Sequence, residues 1–358
     1  MEPLAPQVMI EQVERLADDL RSLIPTYRRR VADVLAPPWC EIVDRVYLTG
    51  DGDSYHAACA AEMAVEEIAG LDCEPLSAFR FDAYGAPSRR AGARPLVIAI
   101  SASGSTDRVV RAIRTAQRRD DAVTIAVTGV AGSPVTRAAD HSVVVGLPDP
   151  QRSPGIRSYQ ASLLGLLLVA VQLGRRRGLR SEAETEALHT ELGGLADAVA
   201  ATAAAAKDRC RRLATVFADA PVMMIVGSGP SYGTALFTAA KIIEGAGVFA
   251  AGQDLEEWSH VEQLAYPDDM PLVVIAPPGR CHERALDLAT AAHRIGRRVV
   301  AVTAHDDTEL TQHAQTVLPV LGHTREEFSP LLYHVFSSYL ACYLADTLGR
   351  KPFQSHRA

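Results

Sequence analysis

The chain reads as an α/β protein: two tandem three-layer α/β/α domains, each built on a mainly parallel sheet. Three observations predict this. Two segments about 175 residues apart look like copies of one unit: Val46-Tyr47-Leu48-Thr49-Gly50-Asp51-Gly52-Asp53-Ser54-Tyr55 with the small-residue run His56 to Ile68, and Met223-Met224-Ile225-Val226-Gly227-Ser228-Gly229-Pro230-Ser231-Tyr232 with the run Gly233 to Ile243. Each is a buried strand, a Gly-rich turn ending in Ser-Tyr, and a helix whose first N–H groups point at whatever sits above the strand. Second, apolar runs of strand length alternate with helical patterns along the chain, the order of a parallel sheet covered on both faces. Third, 358 residues with 48% hydrophobic and 22% charged content suffice for two full cores.

The elements follow in order. Ile10 to Leu35 carries apolar residues at helical spacing and reads as a leading helical hairpin. Strand signals come at Val46 to Thr49, Leu96 to Ser101, Val123 to Thr128 and Ser142 to Val145, and the apolar stretch Ala161 to Leu173 reads as a core helix. An alanine-rich helical connection spans Ser181 to Ala214. The second set has strands at Val222 to Val226, Leu272 to Ala276, Val299 to Thr303 and Thr316 to Val320, and a closing helix from Pro330 to Leu348. The expected divisions are a first domain over 1–180, a connection over 181–215 and a second domain over 216–358.

Composition removes several classes of function. A formal charge of −7 suits neither nucleic acid nor an anionic membrane surface. The six cysteines (Cys40, Cys59, Cys73, Cys210, Cys281, Cys342) lack CxxC spacing and read as buried thiols of a reducing cytosol. Met1 to Met9 has no signal-peptide pattern, and Ala161 to Leu173 is too short to span a bilayer. The expectation is a cytoplasmic protein. His56, His141, His282, His305, His313, His323 and His334 show no HxxxH or HExxH grouping, so no metal site and no cofactor are expected. Asp306-Asp307 reads as a loop and helix-cap pair, and Arg175-Arg176-Arg177 as the basic end of a helix.

The most pointed chemistry in the first half is Ile98-Ala99-Ile100-Ser101-Ala102-Ser103-Gly104-Ser105-Thr106-Asp107. A strand stops, four hydroxyl residues follow around a glycine, and a helix begins near Asp107. Hydroxyls and N–H groups converging on a helix N-terminus can satisfy the oxygens of a phosphate. An ordinary Ser/Thr cap needs one hydroxyl, and three would be surplus to it. No Lys of a GxxxxGK[ST] loop is present, and Gly50-Asp51-Gly52 has Tyr55 where the third glycine of a dinucleotide fingerprint would stand.

The pattern Gly50-x-Gly52-x-Ser54-Tyr55, then Ser101 to Thr106, resembles the sugar isomerase (SIS) domain. The whole chain resembles the double-SIS isomerase half of glucosamine-6-phosphate synthase, the aminosugar-phosphate deaminases and the fructosamine-6-phosphate deglycases. That resemblance implies that Ser54, Ser101, Ser103 and Thr106 hold the phosphate of a six-carbon sugar, that Gly52 and Ser105 belong to the same substrate-binding set, and that Ser158 approaches the sugar. Where the family commonly has Val-Ala-Ser-Thr-Lys, this chain has Ile156-Arg157-Ser158-Tyr159-Gln160, so Arg157 and Tyr159 bring new bulk and charge.

In the second half, Lys241 and Glu244 lie three apart on one helix face, and His260 follows sixteen residues after Glu244. Taken singly, these are also what an exposed ion pair and a surface histidine look like. By resemblance Glu244 transfers a proton between the first two sugar carbons, His260 opens the ring, and Lys241 tunes Glu244 or holds a hydroxyl. The turn Pro277-Pro278-Gly279-Arg280 lacks two N–H groups and any hydroxyl, so no second phosphate cradle is expected. The tail, Gly349 to Ala358, has Lys351 too early to equate with the catalytic lysine of the synthase-type ending, and no glutaminase segment precedes the first helix. The expected activity is amine release from an aminated hexose 6-phosphate by a homodimer with a shared active site. A plain aldose–ketose isomerase and a non-catalytic sugar-phosphate regulator stand as alternatives.

Overall fold

A computed structural model describes residues 4–85, 94–120 and 122–354; of the tail discussed above, 355–358 lie outside the described residues. In chain order the elements are α1 (Val8–Glu14), α2 (Leu16–Val34), α3 (Trp39–Ile42), β1 (Arg45–Gly50), α4 (Asp53–Ala69), β2 (Asp72–Ser77), α5 (Ala78–Tyr84), β3 (Pro95–Ser101), α6 (Asp107–Asp120), β4 (Val123–Thr128), α7 (Pro134–Ala138), β5 (His141–Val144) and α8 (Arg157–Arg176). Then come α9 (Glu182–Phe217), β6 (Val222–Val226), α10 (Pro230–Ala246), β7 (Phe249–Gln253), α11 (Leu255–His260), β8 (Pro271–Ala276), α12 (His282–Arg294), β9 (Arg298–Ala304), β10 (Thr316–Val320), α13 (Pro330–Tyr333) and α14 (Val335–Thr347).

The chain divides into two compact units. One comprises Asp18–Pro150 and Arg157–Gly194, the other Met1–Ala17, Gln151–Ile156 and Leu195–Ala358. The segment expected as a helical hairpin is two helices, α1 and α2, that meet at Arg15 without a loop and fall in different units.

In the first unit the sheet order is β2-β1-β3-β4-β5, every pair parallel. Alternate residues serve opposite faces because side chains along a strand alternate. Tyr47, Val97 and Ala99 pack with Phe81, Val109 and Ile113 of α5 and α6, while α4 and α8 pair with each other. Burial on both faces is why these strands read as continuous apolar runs. The second unit has the order β10-β9-β8-β6-β7, again all parallel. There Met224, Val226, Leu272 and Val274 meet Trp258, Leu288 and Ala292 of α11 and α12, and α10 pairs with α14.

The two units agree in local detail. Gly52 before α4 (φ 55, ψ −129) and Gly229 before α10 (φ 55, ψ −132) share one backbone conformation, and both helices run 17 residues to a left-handed glycine, Gly70 or Gly247. A positive φ costs glycine little, which is why it stands where a strand must turn sharply into a helix. Two strands carry no sequence signal: β2, Asp-Cys-Glu-Pro-Leu-Ser, and β7, Phe-Ala-Ala-Gly-Gln. Both lie at a sheet edge, next to the first strand of their unit, where Pro75 and the small or polar residues are tolerated.

Candidate functional site

In the first unit the chain order reverses between β1 and β3, so the loops leaving these adjacent parallel strands diverge and open a crevice at their C-terminal ends. The turn after β1 must pass close to β3. A Cβ on Gly50 would come within 2.9 Å of the Ile100 carbonyl and 2.7 Å of the Ser54 Cβ. Asp51 ties this turn to the end of β2, its carboxylate accepting the Ala78 N–H at 3.1 Å. Ser54, almost buried, lies in the first turn of α4.

The turn after β3 brings the hydroxyls together in two tiers. The buried Ser101 Oγ accepts the Gly104 N–H at 3.2 Å and lies 3.1 Å from Thr106 Oγ1. The exposed Ser103 Oγ accepts the Ser105 N–H at 3.3 Å and lies 3.0 Å from Ser105 Oγ. Ser101 closes the turn; Ser103 and Ser105 face outward at the N-terminus of α6, with the half-buried Thr106 beside them. Gly104 at φ 67 is required here, because a Cβ would sit 2.3 Å from Ser133 Oγ and 2.9 Å from Thr128 Oγ1.

Next to this turn is a small cleft of about 140 Å³ lined by Ala102, Val130, Leu147, Pro150, Ser158 and Ser162, among others. Ser158 thus lies beside the hydroxyl turn. Arg157 and Tyr159 do not, which corrects the expectation that they bring new charge and bulk to the site: each is 1% exposed. Arg157 grips Asp19 of α2 with two hydrogen bonds, Nε to Oδ2 at 2.6 Å and Nη2 to Oδ1 at 2.7 Å. It also donates to the carbonyls of Pro148 (3.0 Å) and Asp149 (3.2 Å), and Asp149 holds a positive φ of 47°. Tyr27 of α2 donates to the Gly146 carbonyl at 3.0 Å, and burial followed by the Asp19 charge pushes its hydroxyl pKa up. α2 therefore fixes the segment 146–150 that forms one wall of the cleft.

In the second unit the corresponding turn is occupied by the chain itself. Glu326 accepts the Arg280 N–H at 3.1 Å, and its carboxyl group would meet a Cβ on Gly279 at 2.5 Å. An internal carboxylate lies against the turn that, in the other unit, presents hydroxyls. Ser228 is likewise engaged, its Oγ donating to Asp254 at 2.6 Å, while Asp254 caps α11 through the Glu256 N–H at 2.8 Å. No sequence pattern marked Glu326 or Asp254, because each meets its partner only through the fold.

Lys241 and Glu244 occupy the last two turns of α10. The Lys241 side chain is fully buried, with Nζ 5.2 Å from the Phe237 ring centre and donating to Glu244 Oε2 at 2.5 Å. The Glu244 side chain keeps 33% exposure. This is not an exposed surface pair: a desolvated ammonium orients a carboxylate that still reaches solvent. His260 ends α11, with 68% of its side chain exposed and Nε2 3.0 Å from Glu256. Arg284, and then His260, hold the Glu256 carboxyl below its usual range.

Within this unit the structure does not bring Glu244 and His260 together. α10 runs back from the C-terminal end of β6, so Glu244 lies toward the N-terminal ends of the strands, whereas His260 follows the C-terminal end of β7. The five residues of β7 between them span about 15 Å at roughly 3.3 Å per residue.

A family model for the SIS domain matches residues 43–171 and 216–345. Glutamine–fructose-6-phosphate aminotransferase (isomerizing) of Pyrococcus horikoshii is 29% identical over 322 residues, 88% of this chain and 52% of that protein. The chain thus spans about half the length of the curated relatives it matches. The C-terminal domain of glucosamine-fructose-6-phosphate aminotransferase from Francisella tularensis superposes with a TM-score of 0.81 at 17% identity, covering 95% of this chain and 96% of that one. Glucosamine-6-phosphate deaminase from Thermotoga maritima superposes with a TM-score of 0.71 at 18% identity, covering 95% and 96%. At such identities the structural likenesses establish the fold alone. With both halves matched and the parallel five-stranded sheet present in each, the chain belongs to the SIS domain family and carries two SIS domains.

Proposed function

We propose that the protein is a SIS enzyme acting on an aminated hexose 6-phosphate, with amine release as its net reaction. The observation that carries this reading is the hydroxyl-lined turn Ser101–Thr106 at the crevice between β1 and β3, where the N-termini of α4 and α6 would supply N–H groups to an anion. Ser54, Ser103, Ser105 and Thr106 would take the phosphate, Ser101 would hold the turn, and Ser158 would meet the sugar. Relatives named glutamine–fructose-6-phosphate aminotransferase (isomerizing) and glucosamine-6-phosphate deaminase support an amino sugar phosphate as substrate.

The chemistry follows from the acid and base groups. His260 would open the pyranose by moving the proton of the anomeric hydroxyl. Glu244, aligned by Lys241, would carry a proton between the first and second carbons, giving an enolamine that loses the amine once reprotonated and hydrolysed. Because Glu244 and His260 lie toward opposite ends of the strands of one sheet, a site using both would draw them from two copies of the chain. We therefore place the active site in a homodimer, with His260 serving the neighbour.

The test is incubation with fructosamine 6-phosphates, glucosamine 6-phosphate and fructose 6-phosphate in deuterated water, following amine release and exchange at the first carbon of the two ketose-type substrates and at the second carbon of glucosamine 6-phosphate. Exchange with amine release is expected. Exchange on fructose 6-phosphate alone would replace this reading with an aldose–ketose isomerase, and binding without exchange would replace it with a regulator.

A further inference from the structure

The second SIS domain has a cleft of its own, of about 580 Å³, formed by the segments that follow β8, β9 and β10 and lined by Pro278, His282, Asp306, Asp307, Glu309 and His323, among others. It occupies the same place on its sheet as the Ser158 cleft does on the first, where the segments after β3, β4 and β5 meet. Its chemistry differs. Mostly apolar residues with the hydroxyls of Ser158 and Ser162 line the first; carboxylates and imidazoles line the second. The Asp306-Asp307 pair also divides in two. Asp307 is the cap expected from sequence, accepting the Glu309 and Leu310 N–H groups at 3.0 Å each and pairing with His282 at 2.7 Å. Asp306 makes no part of that cap and turns instead toward two histidines.

His305 follows the last residue of β9, and His323 stands three residues after β10, the strand that pairs with β9 in parallel. Strand pairing therefore sets side by side two histidines that sequence spacing keeps eighteen apart, which is why a search for short ligand motifs passes over them. Asp306 lies between, 3.5 Å from His323 Nε2 and 4.0 Å from His305 Nδ1, and the two imidazole rings are 5.9 Å apart. One donor atom from each of the three lies within 4.8 Å of the others. Ligands about 2.0–2.2 Å from a tetrahedral ion are roughly 3.4 Å apart, so modest rotations of three exposed side chains would close the shell.

We infer that His305, Asp306 and His323 form a site for a divalent transition-metal ion of the zinc class, with its remaining coordination position open to the cleft. Two imidazole nitrogens and one carboxylate oxygen suit zinc or its first-row neighbours and not magnesium or calcium, which take oxygen shells. Asp307 and Glu309 on the cleft wall add a field that favours a cation. The inference stands apart from the proposed sugar-phosphate activity.

The test uses the full-length chain without an affinity tag, freed of metal by chelator and titrated calorimetrically with Zn²⁺, then with Co²⁺ while its visible spectrum is recorded. One ion per chain is expected, with the affinity falling at least tenfold in His323→Ala and again in Asp306→Asn, and with no competition from Mg²⁺ at equal concentration. Substitutions at these exposed positions leave the core untouched, and the tryptophan fluorescence checks that the fold is kept. A cobalt spectrum with a thiolate charge-transfer band would move the ion to Cys281, the half-buried cysteine that precedes His282 of the cleft lining, and overturn the assignment. Absence of stoichiometric binding, or binding that survives a His305→Ala/His323→Ala double substitution, would overturn it as well.

Discussion

Replacing Arg157 with Met tests how the first domain shapes its cleft. The substitution keeps the aliphatic stem and removes a cation whose side chain is 0% exposed, leaving the Asp19 carboxylate, itself 6% exposed, without its partner. Breaking a buried pair from one side costs about 3–5 kcal/mol, because the remaining charge stays desolvated. The Pro148 and Asp149 carbonyls lose their donor too, but they can turn to water as the segment 146–150 relaxes, so the loss should stay within that range. Asp19→Leu combined with Arg157→Met should recover most of it, since an apolar pair replaces an ionic one. The two tryptophans make the assay local: Trp39, stacked on His141 at 5.3 Å, lies in the first unit, and Trp258 lies in the second. Urea unfolding followed by Trp39 in a Trp258→Phe background reads the first domain. Steady-state kinetics on the same variants should show KM raised more than kcat, because the cleft wall moves and the acid and base residues do not. A Trp39 transition shifted by less than about 1 kcal/mol, or a double variant as unstable as the sum of the singles, would refute the reasoning.

Four further outcomes follow from the same structure. Ser103→Ala with Thr106→Ala removes two hydroxyls that would bond a doubly charged phosphate at about 1.5–3 kcal/mol each, so sugar-phosphate affinity in calorimetry should fall at least tenfold while the thermal unfolding curve stays put. Glu244→Gln should lower turnover by about 10²–10⁴ with binding retained, and mixing Ser103→Ala/Thr106→Ala with His260→Ala chains, at substrate too dilute to occupy the weakened site, should raise activity above that of either through hybrid dimers; proven subunit exchange without such a rise counts against a shared site. Gly104→Ala should abolish phosphate binding, because the added carbon strikes Ser133 and the left-handed backbone is lost; calorimetry with inorganic phosphate reads it directly. The pH profile of stability should have two opposed parts. Burial holds His189 at about 4 and His334 at about 3, below 6.5, so unfolding takes up protons and stability falls as pH drops below 6.5. Burial, then the charges of Glu66 and Glu74, raise Glu62 from 4.5 to about 7, so the folded chain keeps a proton that the unfolded chain releases and stability falls as pH rises from 4.5 to 7. Glu62→Gln should accordingly raise Tm at pH 8 and leave it unchanged near pH 4.5, and equal effects at both values would remove the Glu62 assignment.

The α/β class, the two-domain organisation and most of the strands were legible because they are written in short-range pattern. A parallel strand buried on both faces must be apolar throughout, and a sharp strand-to-helix turn needs glycine, so Val46–Gly52 and Met223–Gly229 announce themselves. The hydroxyl turn Ser101–Thr106 was legible for the same reason: its donors are neighbours in sequence and nearly neighbours in space. Edge strands β2 and β7 were not, since an edge tolerates Pro75 and the alanines of Phe249–Gln253 without a hydrophobic signature.

What the sequence by itself determined, then, was the set of local geometries and the residue types able to do acid–base or anion chemistry. The tertiary structure alone decided which of them meet. It buried Arg157 against Asp19, 138 residues away, and so turned an apparent specificity residue into a brace for the cleft wall. It set Glu326 against the second domain's turn, paired His305 with His323 across adjacent strands, and put Glu244 and His260 toward opposite ends of the strands of one sheet. The physical reason is common to all four. Direct contacts act over a few ångströms in space, whereas sequence pattern reports only neighbours along the chain, and in a parallel sheet spatial neighbours arrive from distant crossovers.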